Sequence, residues 1–177
     1  MSETVEDGIL RSAGLSSGVV EGESEHIGHV LMVDYDDGAD PWRLREETDR
    51  RGINALLRSS PGSYHYYHLS VETLDDQLLS ALRMRGDPAH VSASARRAYF
   101  VLRWTGKVRS GGERYKSAPE LVDLWTSGDP EEWSPQSRPH AEALLTRARE
   151  DDLDDEAQEL ESLLDDVDMV GDRAILS

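Results

Sequence analysis

Cysteine is absent from this chain of 177 residues. Disulfides and thiolate-held metals are excluded with it. Lysine is nearly absent: Lys107 and Lys116 are the only two. No run of eighteen apolar residues occurs, so no membrane-crossing helix is expected. The opening stretch MSETVEDGIL is acidic and lacks the basic-then-apolar order of a secretory signal. These absences give the expectation of a cytoplasmic protein without a membrane partner.

What is abundant is carboxylate. There are 36 acidic and 19 basic residues, for a formal net charge of -17. A carboxylate-rich chain with arginine in place of lysine resembles a salt-loving archaeal proteome. In molar salt the Debye length shrinks to about 3 Å. In dilute buffer such a charge would argue against a nucleic-acid partner; screened by concentrated salt, it no longer does.

The length suits one domain with a sizeable core. Residues 1–25 are rich in Ser, Gly and Glu and read as a mobile lead-in with one short strand at Gly18–Val20. Residues 26–35, HIGHVLMVDY, read as a strand covered on both faces. Asp40 and Pro41 mark a helix start. That helix is expected to continue through INALL, with Trp42, Leu44, Ile53, Leu56 and Leu57 inward and Gly52 as its weak point. A turn then precedes YHYYHLSV (64–71), a strand by its aromatic and β-branched content. Thr73 opens an amphipathic helix carrying Leu74, Leu78, Leu79 and Leu82, and DPAHVSASARR reads as a second one. Further strands are expected at 98–104 and in APELVDLWTSG, with a hairpin between them, and a helix from Ser137. Residues 151–177 read as an acidic helical tail with a thin stripe of Leu153, Leu160, Leu163, Leu164 and Val167. The expected fold is therefore α+β. A single domain over 26–150 carries a mixed or antiparallel sheet with helices packed on it.

Asp34 and Asp36 stand at i and i+2, so on a strand they share a face, with Tyr35 opposite. Adjacent carboxylates repel unless a hard cation such as Mg²⁺ or Mn²⁺ lies between them. The same stretch, DYDDGADP, is also good loop chemistry, and Asp37 is an alternative to Asp36 in register. On a strand, His65, Tyr67 and Leu69 share one face, and Tyr64, Tyr66 and His68 the other. The two histidines then point apart and do not grip one metal together. Asp123 sits among Leu121, Val122, Leu124 and Trp125. A carboxylate in such a run needs a partner, either a cation shared with Asp34 and Asp36 or one of the chain's arginines.

In chain order these stretches read apolar-Asp-x-Asp, Ser-x-His and apolar-Asp. Val33-Asp34-Tyr35-Asp36, Ser63-Tyr64-His65 and Val122-Asp123 resemble the three signatures of the archaeo-eukaryotic primase superfamily, over residues 27 to 126. The resemblance implies an RRM-like core. It also implies nucleotidyl transfer with Mg²⁺ or Mn²⁺ held by Asp34, Asp36 and Asp123, and Ser63 and His65 at the nucleotide phosphates. Two metals would activate a 3′-hydroxyl and neutralise the leaving pyrophosphate. Nucleoside triphosphates, single-stranded DNA and replication proteins are the implied partners. Arg58, Arg103 and Lys107 are added from their location as phosphate-side cations. The family's cysteine-based zinc module is missing, and basic residues are scarce near the third signature. A catalytically inactive interaction module of the same fold, or a metal-dependent nuclease using the same acids, are the alternatives.

Overall fold

The computed structural model describes residues 10–11, 14–23, 25–36, 38–109, 112 and 114–174. The chain opens with three short strands, β1 (Leu10–Arg11), β2 (Gly14–Ser16) and β3 (Gly18–Glu21), and then the long β4 (Glu25–Tyr35). Helix α1 (Pro41–Thr48) leads into the hairpin β5 (Gly52–Ser60) and β6 (Ser63–Glu72). Helices α2 (Leu74–Arg83) and α3 (Pro88–Arg97) follow. Next come β7 (Val101–Arg103), β8 (Lys107–Arg109), β9 (Arg114–Lys116) and β10 (Glu120–Ser127). The chain ends with β11 (Gln136–Ser137), α4 (Arg138–Glu150), α5 (Asp154–Asp166), β12 (Met169–Val170) and β13 (Arg173–Ala174). The fold is α+β. Its main sheet runs β10-β5-β6-β4-β3-β13, antiparallel throughout that path. Among the described residues no helix is long and apolar enough to cross a membrane.

The apolar run of β4 is covered on both faces: Val30, Leu31, Met32 and Val33 are fully buried. Beside it, β6 is buried from Ser63 to Ser70. Directly opposed residues of antiparallel strands point to the same face. Asp34, His65, Leu57 and Leu121 are thus aligned on one face. The fully buried Tyr67 shares that face and meets Trp104 edge-on at 6.0 Å between ring centres. Arg147 of α4 lies over Trp104 in turn. The other face carries Val33, Tyr66 and Leu56, and there the Tyr66 hydroxyl donates to the Thr48 carbonyl at the end of α1.

Two expectations need correction. The helix expected through INALL stops at Thr48, and Ile53, Leu56 and Leu57 are fully buried on a strand. Gly52 turns the chain at φ +125°, which no helix tolerates and few side chains reach. β5 lies between two strands with both faces covered, so its apolar run carries no alternation to tell strand from helix. The lead-in contributes structure rather than slack. Residues 14–21 form strands paired with β7 and β4, and Val19 is fully buried. The strand expected at Gly18–Val20 is there; residues 1–9 lie outside the described residues. The helix expected in the acidic end is there, with part of its apolar stripe packed inward. α5 buries Ala157, Leu160 and Leu164, and β13 adds a strand beside β3.

The buried histidines are mostly structural clamps. His29 pairs Nδ1 with the Ser17 hydroxyl at 3.0 Å. His68 Nε2 meets the Arg51 carbonyl at 2.9 Å while Nδ1 meets Ser70 Oγ at 3.0 Å. His140 does the same with the Ser16 carbonyl at 2.7 Å and Ser137 Oγ at 2.6 Å. Carbonyls only accept, so in the last two Nε2 donates and Nδ1 accepts the serine proton. These imidazoles are neutral.

Candidate metal centre

At the end of β4, Asp34 stands opposite His65 of β6, with His65 Nε2 3.6 Å from Asp34 Oδ1. Two residues on, Asp36 leaves the strand and is exposed. The third acid comes from a different element. Asp87 caps α3, its two oxygens accepting from the Ala89 and His90 amides. Its own N–H donates to the Asp34 carbonyl at 2.8 Å. That bond stitches the start of α3 to the edge of β4. It brings one carboxylate oxygen each of Asp34, Asp36 and Asp87 within 4.8 Å of one another. A groove of about 360 Å³ opens beside them, lined by Tyr35, Asp36, Gly38, Arg85, Gly86 and Asp87.

The electrostatics are those of acids crowded out of water. Burial, then the charges of Asp36 and Asp87, push the Asp34 carboxyl up to about 6, with Arg103 opposing. Burial, then Arg103 and His90, push His65 down to about 3. His65 is therefore a neutral imidazole, and its contact with Asp34 is not an ion pair. Asp34 Oδ1, His65 Nδ1, the Tyr67 hydroxyl and His90 Nε2 are all buried without a hydrogen-bond partner among the described residues. Leaving such an atom unpaired costs about 1–3 kcal/mol. Three close oxygens, one of them unpartnered, are a donor set that fits a hard divalent cation.

The sequence-derived candidates fare unequally. Asp34 and Asp36 are together, and His65 is beside them. Asp123 is not. It pairs with Leu56, whose row continues to Tyr66 and Val33 on the opposite face from Asp34. A β-bulge between Leu121 and Asp123 is the cause. Leu121 is in register with Leu57, on the Asp34 side, and strict alternation would have put Asp123 there too. The extra residue Val122 reverses the alternation. Asp123 instead receives Arg45 Nη1 at 2.9 Å, the arginine partner that its sequence context left open. Burial raises its carboxyl and Arg45 pulls it back.

Ser63 is buried at the start of β6. Arg58 is bound to Glu120. Arg103 donates to the carbonyls of Ser59, Thr105 and Ser117, although its charge still reaches Asp34. Lys107 sits on β8, opposite Lys116 and outside the groove lining. Asp37 lies outside the described residues. Sequence reasoning missed Asp87 and Arg85. The signal for Asp87 was present in Asp-Pro at a helix start, but it spoke only of capping. No family model matches the chain, and no curated protein or solved structure matches it either.

Proposed function

We propose that this chain is a divalent-cation-dependent nucleotidyl-transfer domain of the primase-polymerase type, with Asp34, Asp36 and Asp87 as its metal set. One observation carries the reading. The acid of the first signature and the histidine of the second stand directly opposite on neighbouring strands, and Asp34 Oδ1 there has no partner within a nest of three carboxylates. The β4-α1-β5-β6-α2 succession is compatible with the RRM-like core that the resemblance implies. Mg²⁺ or Mn²⁺ would supply charge neutralisation and Lewis acidity at a phosphate. Arg85, in the lining of the same groove, is the cation on the phosphate side. His65, only 5% exposed, acts through Asp34 as a positioning residue rather than on the nucleotide directly. Nucleoside triphosphates and single-stranded DNA are the proposed partners, in DNA replication or repair.

A second reading is an inactive interaction module of the same fold. It is favoured by Asp123, Arg58 and Arg103, which are engaged with protein partners. The test is primer extension and de novo synthesis on single-stranded DNA in molar salt with Mg²⁺ or Mn²⁺. Synthesis abolished by Asp34→Asn and by Asp87→Asn supports the transferase. Inactivity across metals and salts with DNA binding intact supports the module. Template degradation blocked by the same changes supports a nuclease.

A further inference from the structure

On the opposite face from the carboxylate nest lies a second groove, of about 420 Å³, between α1 and β10. Trp42, Arg45, Glu46 and Asp49 follow at i, i+3, i+4 and i+7, one side of a helix. Trp125 and Ser127 of β10 form the facing wall. The wall is fixed. Asp49 accepts from Trp125 Nε1 at 2.8 Å and from the Ser127 hydroxyl at 2.9 Å. Arg45 is held by Asp123 and lies 5.0 Å over the Trp125 ring. Two groups are left over. The Trp42 indole is 75% exposed, and no hydrogen bond or ion pair holds Glu46 among the described residues.

The charges select the occupant. Arg45 and Asp123 cancel, which leaves Glu46 and Asp49 as the net charge of the groove. Arg45, the cation in the groove lining, is taken by Asp123, so a phosphate-bearing ligand finds no open donor charge there. Glu46, by contrast, is an open acceptor for a cation at contact distance, where salt screens least. An aromatic face one helical turn from an unengaged carboxylate suits a flat cation best: it stacks on the ring and donates in its own plane. A guanidinium does both. An ammonium is a compact, strongly hydrated charge that concentrated salt displaces more readily. We propose that this groove binds the guanidinium of an arginine side chain carried by a partner protein, stacked on Trp42 and paired with Glu46. The carboxylate of free arginine would meet the same negative groove, so a peptide-borne arginine is the better fit.

The probe is N-acetyl-arginine amide, titrated in molar potassium chloride and followed by the indole ¹⁵N–H resonances of the four tryptophans. Saturable movement of the Trp42 signal at millimolar concentration is expected, as befits a few weak contacts. Trp42→Ala and Glu46→Gln should each weaken binding by about 2–5-fold, the loss of one exposed aromatic or charged contact. Trp42 is mostly in solvent, so the alanine variant should keep its fold, checked by circular dichroism. N-acetyl-lysine amide should bind several-fold more weakly. The inference is overturned if the arginine amide leaves Trp42 unmoved, or if Glu46→Gln leaves its binding unchanged. It also falls if free arginine binds as tightly as the amide, or if adenosine saturates the site where arginine does not.

Discussion

Replacing Asp87 and Asp123 by asparagine, one at a time, separates the metal set read from the sequence from the one the geometry supports. Asp123 shares one ion pair with Arg45, and the two side chains are 23% and 42% exposed. A half-exposed pair of this kind contributes about 0.2–1 kcal/mol. Removing the partly buried charge of Asp123 returns part of that. The melting point of Asp123→Asn should therefore fall by no more than about 2–4 °C, the shift that 1 kcal/mol produces in a domain this size. Its affinity for Mn²⁺ should match the parent, because its carboxylate lies across the sheet from Asp34. Asp87→Asn should do the reverse. Asparagine is also a good helix cap but keeps only one of the two accepting oxygens, so α3 should survive at a cost of about 1 kcal/mol. The site, however, loses one of three charges. Groups that merely support metal ligands cost 10–100-fold in affinity on removal, so loss of a ligand should cost at least about 100-fold. Calorimetric titration with Mn²⁺ in molar potassium chloride reads both, alongside thermal melts of each variant. Weakened Mn²⁺ binding in Asp123→Asn with parental binding in Asp87→Asn would refute the reasoning and restore the original assignment.

Salt removal should destabilise the fold. At a net charge of -17 the carboxylates repel once screening lapses, so the melting point should fall steadily from molar potassium chloride to dilute buffer; a flat or rising midpoint would contradict this. Acid should do the same through the buried histidines. His68 and His140 are both pushed down from their ordinary value to about 4, chiefly by burial. The unfolded chain then binds protons that the folded chain refuses. Their contribution is full above about pH 6.5 and is lost as pH falls toward 4; denaturant melts at pH 7.5 and pH 5 should show the lower stability at pH 5. Gly52→Ala should cost about 1–3 kcal/mol, because φ is +125° and a Cβ would stand 2.8 Å from Gln136 Oε1; an unchanged denaturation midpoint would show that the turn is not strained.

The sequence made the strand identity of β4 and β6 legible because their composition and length left little choice. It also placed Asp34 and His65 on one face, since alternation decides that within a strand, whereas Asp36 lies past the end of β4, where alternation no longer applies. Three of the places where it misled share one cause: the deciding event is not periodic. α1 ends at Thr48, yet the apolar residues after Gly52 suit a helix as well as a doubly covered strand. The bulge at Val122 leaves no composition signal, and a one-residue slip moves every later side chain across the sheet. Asp87 reaches Asp34 through a backbone bond between segments some fifty residues apart in the chain, which spacing within a motif cannot report.

His65 illustrates why buried position alone does not mark a functional histidine. His29, His68 and His140 are as buried as His65, and each has a serine hydroxyl on Nδ1. Ser70 lies two residues along the strand from His68 and Ser137 three before His140, the local supply of a proton donor that a neutral core imidazole needs. Ser63 stands two residues before His65, the same separation, yet His65 Nδ1 has no partner. A core histidine kept only for packing would be as easily satisfied as its neighbours. The other nitrogen of His65, Nε2, lies 3.6 Å from Asp34 Oδ1, which also has no hydrogen-bond partner among the described residues. Costs of about 1–3 kcal/mol per unpaired group are met singly in many folds. An unpartnered Asp34 Oδ1 within a three-acid nest is a cost that a bound divalent cation would offset.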